Sequence, residues 1–299
     1  MNRIVVAASL VLVLVLVLVA GARADTITVG VFAPSAPFPS TAARVELASR
    51  LGDHLGKALG GIGSGRTYAR AGDFAAAVKR GEIALALVDA SYLAGRGGYT
   101  VIASSTYGGA TVRGWQLVAR AGVKFVDLKA KRVLVPSNGG RELEFVVDVM
   151  LGGEVARGWF ARVEAATDTA SALAALGLGN ADAVVVPLGV ELPRGIAAVF
   201  ALPAIANPTL VAYGSVSVAR RSALTAAAAS FRGDPTIEGF RTDGDDAVRA
   251  VTRRFVIEPK RGPLAVPTIR PAIAELVERR TFAIERTPAA AFALAPQPR

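Results

Sequence analysis

Short runs of alternating or continuous apolar residues predict a chain rich in β-strands. Residues Thr26 to Phe32 alternate between polar and apolar side chains, which is typical of a strand with one buried face. Ile83 to Val88 and Asp182 to Pro187 are almost wholly apolar, as are strands buried on both faces of a parallel sheet. Further strands are predicted near Tyr68 and at Tyr99–Ser104, Trp115–Ala119, Val133–Pro136 and Asn207–Tyr213.

Leucines at four-residue spacing predict a helix after the first strand, capped by Ser40 or Thr41. The leucines of its buried face are Leu47, Leu51, Leu55 and Leu59. His54 lies off this stripe and is expected to be exposed, and Gly61 to Gly65 are interpreted as a connector. Other helices are predicted at about Phe74–Arg80, Arg141–Leu151, Ser222–Phe231, Asp245–Arg254 and Thr268–Arg280. One more is capped by Thr167–Thr169 and ended by Gly177 or Gly179. Strands alternating with helices indicate an α/β fold whose open sheets are mainly parallel.

The first 24 residues have the parts of a secretory signal peptide. Arg3 precedes an apolar run from Ile4 to Ala20, and the small residues Ala22 and Ala24 stand where a signal peptidase would cut. An uncleaved membrane anchor is the alternative, because the apolar run is near the lower length limit for a spanning helix. The sequence therefore predicts a periplasmic protein, with an inner-membrane anchor as the second hypothesis.

Composition excludes several kinds of chemistry. The 299 residues contain no cysteine and one histidine, so thiolate metal sites and a cysteine nucleophile are excluded, and no metal or cofactor is expected. The formal net charge is +10, but the lysines and arginines are spread along the chain and no basic run alternates with aromatic residues. Nucleic acid is therefore not expected as a partner.

Four segments in order resemble the periplasmic substrate-binding proteins of phosphonate/phosphate-type ABC transporters. They are Ile27–Val31, Asp73–Val88 followed by Ala90–Tyr92, Asp127–Pro136, and Ala172–Val186 followed by a return at Ile205–Ala212. The resemblance covers about Thr26 to Phe231 and implies a two-lobed type 2 periplasmic binding protein. Residues 25–112 would begin lobe 1, 113–207 would form lobe 2, 208–286 would return to lobe 1 with C-terminal helices, and 287–299 would be a flexible tail.

The resemblance also implies an anion site at the small polar turn Ser137, Asn138, Gly139 and Gly140. The residues support it independently, because a turn that opens a helix presents free N–H groups at the positive helix end. Arg141 could add a bidentate contact to the anion. Ordinary helix capping is the alternative, since serine, asparagine and glycine are common at any such turn.

Three more residues are candidate ligand contacts. Ser35 and Tyr92 follow predicted strands, and open α/β sheets bind ligands at the carboxyl edge of their strands. Ser35 could instead be a plain loop residue, and Tyr92 could fill the hinge region. Asp168 stands near the place where the family tends to have a histidine, and helix capping is its alternative role.

No group of residues supports catalysis, because a Ser-His-Asp relay would need His54. The sequence therefore predicts a monomeric solute-binding protein that holds a small anion between two lobes and delivers it to an ABC transporter permease. A membrane-anchored or periplasmic sensor or scaffold on the same fold is the alternative. A periplasmic enzyme ranks third.

Export generates the first test. If the signal peptide is removed, N-terminal sequencing of protein recovered from the periplasm should begin at Asp25. Finding Met1 retained would contradict cleavage and favour the anchored sensor.

Overall fold

The computed structural model describes residues 26–242 and 245–256, and within them two β-sheets flanked by helices. The predictions made for the signal peptide, for the helix at 268–280 and for the tail at 287–299 lie outside the described residues. The strands of the first sheet are β1 (Thr26–Phe32), β2 (Ile62–Thr67), β3 (Leu85–Val88), β4 (Tyr99–Thr106), β10 (Thr209–Tyr213) and β11 (Gly239–Arg241). The strands of the second are β5 (Val112–Arg120), β6 (Arg132–Pro136), β7 (Arg162–Ala166), β8 (Ala183–Pro187) and β9 (Ile196–Ala206).

Helices connect and cover these strands. They are α1 (Thr41–Ala58), α2 (Ala71–Lys79), α3 (Ala90–Leu93), α4 (Glu142–Glu144), α5 (Thr169–Gly177), α6 (Val218–Ser230) and α7 (Asp245–Val256), with a 3₁₀ turn at Phe125–Leu128. No helix among the described residues is long and apolar enough to cross a membrane.

The expected two-lobed α/β architecture is present, with one difference. Each sheet is mixed, in the order β11-β4-β10-β3-β1-β2 for the first and β7-β6-β8-β5-β9 for the second. In the first sheet β1 is parallel to β2 and β3, whereas β10 lies antiparallel to β3 and β4. The strand β10 enters this sheet from the second lobe, and its direction is set by that return rather than by a helical crossover.

Two segments cross between the lobes side by side. The Asn207 N–H donates to the Thr111 carbonyl at 2.9 Å, and its buried side-chain amide donates to the carbonyls of Ser105 and Ala110. Hydrogen bonds between the crossing segments fix the place about which the lobes can rotate.

The buried face of α1 follows the leucine stripe. Leu47, Leu51 and Leu55 are fully buried against the first sheet, and each contributes about 1.5–3 kcal/mol by burial. His54 is not the exposed residue that its position off the stripe predicts. Its ring packs edge-on against Phe231, and Nε2 lies 2.8 Å from the Ala227 carbonyl of α6.

The segment interpreted as a connector, Gly61 to Gly65, is instead largely the edge strand β2. The helix α1 lies so close to it that a Cβ at Gly65 would stand 2.0 Å from the Ala48 carbonyl group. A Cβ at Gly63 would stand 1.8 Å from the Gly52 oxygen. Gly63 and Gly65 therefore serve close helix-to-strand packing and not a turn.

The predicted helix from Arg141 to Leu151 differs as well. Only Glu142–Glu144 is α-helical, and the chain continues as a π-helical segment from Phe145 to Met150. Three of these six residues are valines, whose branched Cβ atoms lower the preference for a regular α-helix. The wider turns place Phe145, Val146 and Met150 in the core shared by both lobes.

The close packing of α1 on β2 generates a stability test. Gly65→Ala should lower the free energy of unfolding by about 1–3 kcal/mol or more, because backbone atoms must move to admit the methyl group. Gly72→Ala is the matched control, since a Cβ there meets nothing within 4 Å. Urea unfolding of both variants measures the difference, and equal midpoints would contradict the packing argument.

Candidate ligand-binding cleft between the lobes

The carboxyl ends of strands from both sheets face one another across a cleft, where the lobes are in direct contact. The loop after β1 meets the start of α5, because the Thr169 hydroxyl donates to the carbonyls of Pro34 and Ser35 at 3.3 and 3.1 Å. The Thr169 N–H donates to the same Pro34 carbonyl. Because α5 belongs to the second lobe, these bonds hold one side of the cleft closed.

A second set of contacts closes the other side. The Arg96 guanidinium donates to the Gly139 carbonyl at 3.2 Å, and Arg141 donates to the Ala94 carbonyl at 2.5 Å. Arg96 also stacks over the Tyr92 ring, with 4.1 Å between the guanidinium carbon and the ring centre. Arginines from both lobes therefore bind backbone carbonyls of the opposite lobe.

Tyr92 lies mainly in the core. Its ring is buried and packs edge-on against Phe32 and Phe74, with centroids 5.0 and 5.7 Å apart. The ring therefore lies in the core of lobe 1, and its contact with a ligand stays a prediction.

The turn Ser137–Gly140 has an acceptor of its own. The N–H groups of Asn138 and Gly140 both donate to one carboxylate oxygen of Glu142, at 2.9 and 3.2 Å. Glu142 is 9% exposed, so its charge is largely removed from water and is compensated by these amides. The Asn138 side-chain nitrogen is buried and has no partner among the described residues. The amides expected to hold a ligand's anionic head are thus occupied by a neighbouring side chain.

Ser35 binds a carboxylate that the sequence interpretation did not single out. Its N–H and hydroxyl donate to the two oxygens of Asp89, at 2.8 and 2.7 Å. Asp89 directly follows β3 and is buried. Burial raises the pKa of its carboxyl group to about 7, although the two hydrogen bonds from Ser35 lower that pKa. The pair fixes the loop that Thr169 also contacts.

Asp168 caps α5, as its alternative role predicts. One carboxylate oxygen accepts from the N–H and the hydroxyl of Ser171, at 2.8 and 2.7 Å. The other oxygen lies 3.5 Å from the Arg44 guanidinium of lobe 1. Sequence reasoning missed Arg44, although it stands three residues before Leu47 on the same face of α1.

Two cavities lie beside these contacts. One of about 220 Å³ is bounded by Arg44, Asp168 and the first residues of α1 and α5. A larger one of about 440 Å³ adjoins it, since Phe38, Pro39 and Ala170 line both. Ser35 lines a third space of about 20 Å³, which has room for about one water molecule.

The candidate residues therefore fall into two groups. Tyr92, Asn138, Gly139 and Arg141 meet at one side of the cleft together with Ser137 and Gly140. Ser35 and Asp168 lie on the side that is bounded by the loop after β1. Asp89 and Glu142 were not among the candidate site residues named from the sequence. Each is an acidic residue next to a strand end or a turn, and this position is the signal that could have indicated them.

The chain has the fold of the two-lobed type 2 periplasmic binding proteins. In this fold two lobes are joined by paired crossings, and strand ends of both lobes face a common cleft. No family model and no curated protein matches the sequence. Among solved structures, PhnD1 of Prochlorococcus marinus in complex with methylphosphonate has a TM-score of 0.60 and 11% identity, covering 77% of this chain and 96% of that one.

Two further solved structures are similar. A binding protein component of an ABC phosphonate transporter from Pseudomonas aeruginosa has a TM-score of 0.60 and 12% identity, covering 88% of this chain and 99% of its own. A Xanthomonas citri protein bound to ATP has a TM-score of 0.54 and 11% identity, with 77% and 96% coverage. At these identities the likeness establishes the fold.

The buried Asp89 generates a pH test. Its pKa is raised from 3.8 in the unfolded chain to about 7, so the folded protein binds an extra proton between these values. Stability should therefore fall as the pH rises from about 4 to about 7, by an amount on the order of 2–4 kcal/mol. Asp89→Asn should remove this decline, whereas Asp73→Asn at an exposed position should retain it. Melting curves from pH 4 to 8 measure the effect, and parallel curves for all three proteins would contradict it.

Proposed function

We propose that the protein is a solute-binding protein that holds a small anionic, phosphonate- or phosphate-like ligand between its lobes and delivers it to an ABC transporter permease. One observation carries the proposal. Positively polarised groups of both lobes converge on the same cleft, and two of them are paired there with carboxylates of the chain itself, the turn amides with Glu142 and Arg44 with Asp168. A cleft that accommodates an internal anion has the donors that an external anion needs.

The solved structures with this fold support an anion. One contains methylphosphonate and another contains ATP, and both ligands carry phosphorus oxyanions. The fold alone does not determine a function, so the proposal depends on the donors in the cleft.

The proposed contacts are those expected from the sequence. Ser137, Asn138, Gly139 and Gly140 would take the anionic group once the Glu142 carboxylate has moved away, and Arg141 would lie beside it. Tyr92, Ser35 and Asp168 would border the ligand. No metal or cofactor enters this proposal.

We infer a binding protein and not an enzyme. The one histidine, His54, lies between α1 and α6, hydrogen-bonded to the Ala227 carbonyl. The same nitrogen lies 3.2 Å from the Ser230 hydroxyl, and neither Ser35 nor Ser137 is among the hydrogen-bond partners of this ring in the described part of the chain. We further infer that the protein works as a periplasmic monomer, exported by its first 24 residues.

A sensor or scaffold is the second candidate function. The observation that favours it is the set of direct contacts between lobes, among them Thr169 with Pro34 and Arg141 with Ala94. A protein whose lobes hold each other without an intermediary can present one closed surface to a partner protein. Retention of the N-terminal segment as an anchor would fit this role.

Two neighbouring glycines provide the test of the proposed function. Both have left-handed backbone angles, φ +72° at Gly139 and +91° at Gly140, so an alanine carries backbone strain at either position. Only at Gly139 would the new Cβ meet the Tyr92 ring, at 2.7 Å, and Arg96, at 2.8 Å. Gly139→Ala should therefore hold the lobes apart and weaken methylphosphonate binding about tenfold relative to Gly140→Ala.

Calorimetric titration and solution scattering measure the two effects. The wild type and Gly140→Ala should become more compact with saturating ligand, and Gly139→Ala should remain more extended. A ligand at 100 times its dissociation constant should also stabilise the wild type by about 2.7 kcal/mol. The transport proposal is overturned if no phosphonate, phosphate, sulfonate or organic acid shifts the melting curve, and the sensor hypothesis then stands.

A further inference from the structure

The 220 Å³ cavity beside Arg44 has the composition of an anion site. We propose that the ligand's anionic group binds the Arg44 guanidinium in this cavity, with its apolar body in the adjoining 440 Å³ cavity. The ligand class is therefore an organic anion with an apolar or aromatic body. This inference rests on the proposed solute-binding function and changes one part of it, because the anionic group binds at Arg44 instead of at the turn Ser137–Gly140.

Arg44 is a buried cation with unused donors. Its side chain is 9% exposed, and the nitrogen Nε has no hydrogen-bond partner among the described residues. A buried donor without an acceptor is unfavourable, and a charged one more so, because it has lost its hydration shell. Because Nε is shielded from the cavity, an oxyanion there would approach the guanidinium at its Nη atoms, one of which lies 3.5 Å from Asp168.

Two helix starts add to the positive potential. The helix α1 begins at Thr41 and α5 begins at Thr169, and residues of both first turns line the cavity. The first amides of a helix have no acceptor within that helix, and the helix dipole places partial positive charge at this end. Because the helices belong to different lobes, an anion between them would favour the closed arrangement.

The competing carboxylate is weakly engaged with Arg44. Asp168 holds Ser171 through one oxygen at 2.8 Å, whereas its other oxygen is 3.5 Å from the guanidinium, longer than a good charge-assisted hydrogen bond. In the turn Ser137–Gly140, by contrast, Glu142 binds two amides at 2.9 and 3.2 Å. An incoming anion therefore displaces less at Arg44 than at the turn.

The adjoining cavity selects the body of the ligand. Its apolar lining consists of Phe38, Pro39, Leu173 and Val190, and Tyr107 and Glu191 also line it. Its volume of about 440 Å³ falls within the range of about 300–1,000 Å³ that is usual for small-molecule sites. Inorganic phosphate or methylphosphonate would leave these walls without contact, whereas a phenyl group would bury them.

Calorimetric titration with phenylphosphonate and methylphosphonate tests the inference. The wild type should bind phenylphosphonate at least about tenfold more tightly than methylphosphonate, because the phenyl group buries apolar surface. Arg44→Gln should weaken phenylphosphonate binding by about tenfold or more. Arg50→Gln is the matched control, since Arg50 lies on the same helix but pairs with Asp234 outside the cavity, and it should bind as the wild type does.

Asp168→Asn gives a change of opposite sign. Asparagine keeps the helix cap but removes the charge that competes for Arg44, so this variant should bind phenylphosphonate several-fold more tightly than the wild type. A purely structural role for the Arg44–Asp168 pair would lower stability in both variants without moving the two affinities in opposite directions. This readout remains informative even if Arg44→Gln folds poorly.

The outcomes separate the inference from the proposed function. If Arg44→Gln binds with wild-type affinity and Asn138→Ala loses binding, the anion binds at the turn. This result would overturn the inference and leave the proposed function intact. Weaker binding in Asp168→Asn would show that the ligand brings a cationic group to Asp168, which also overturns it. If the wild type binds neither phosphonate nor other organic anions, both are overturned.

Discussion

The matching of buried hydrogen-bond donors by the chain's own carboxylates is the interaction on which this structure depends. Strand ends and helix starts leave N–H groups without acceptors, and burial between two lobes removes the water that would otherwise satisfy them. Asp89 serves the loop after β1, Glu142 serves the turn after β6, and Asp168 serves the start of α5. Each carboxylate is thereby fixed at the cleft edge, and each holds a loop in the position from which it contacts the opposite lobe.

This arrangement also determines what a ligand must do. Under the proposed function, an anion entering the cleft would exchange with an internal carboxylate instead of filling an unoccupied set of donors, so its affinity would be the difference between two similar interactions. The exchange would be least costly where the internal bond is longest, at Arg44. It would also link binding to lobe position, because Arg44 and Asp168 belong to different lobes.

The connections between lobes limit how they can move. Asn207 ties the two crossing segments together, and α7 packs against α3 of the first lobe and β9 of the second. Rotation about the crossings would separate Arg44 from Asp168 and Arg96 from Gly139 while preserving the crossings themselves. The contacts at the strand ends are therefore the ones that an opening motion breaks.

The sequence by itself determined many of the elements, because apolar periodicity records burial directly: Thr26–Phe32 and the leucine stripe of α1 are strand and helix as predicted. It did not determine β2, whose glycines were interpreted as a connector. It did not determine strand direction, since β10 is antiparallel only because of where the chain re-enters the sheet. It named Ser137–Gly140 and Asp168, but their partners Glu142 and Arg44 depend on side-chain distances. The tertiary fold decides which acceptors come within about 3 Å of an amide or a guanidinium, and so whether that donor already has a hydrogen-bond partner. The periodicity of apolar residues carries no information about such distances.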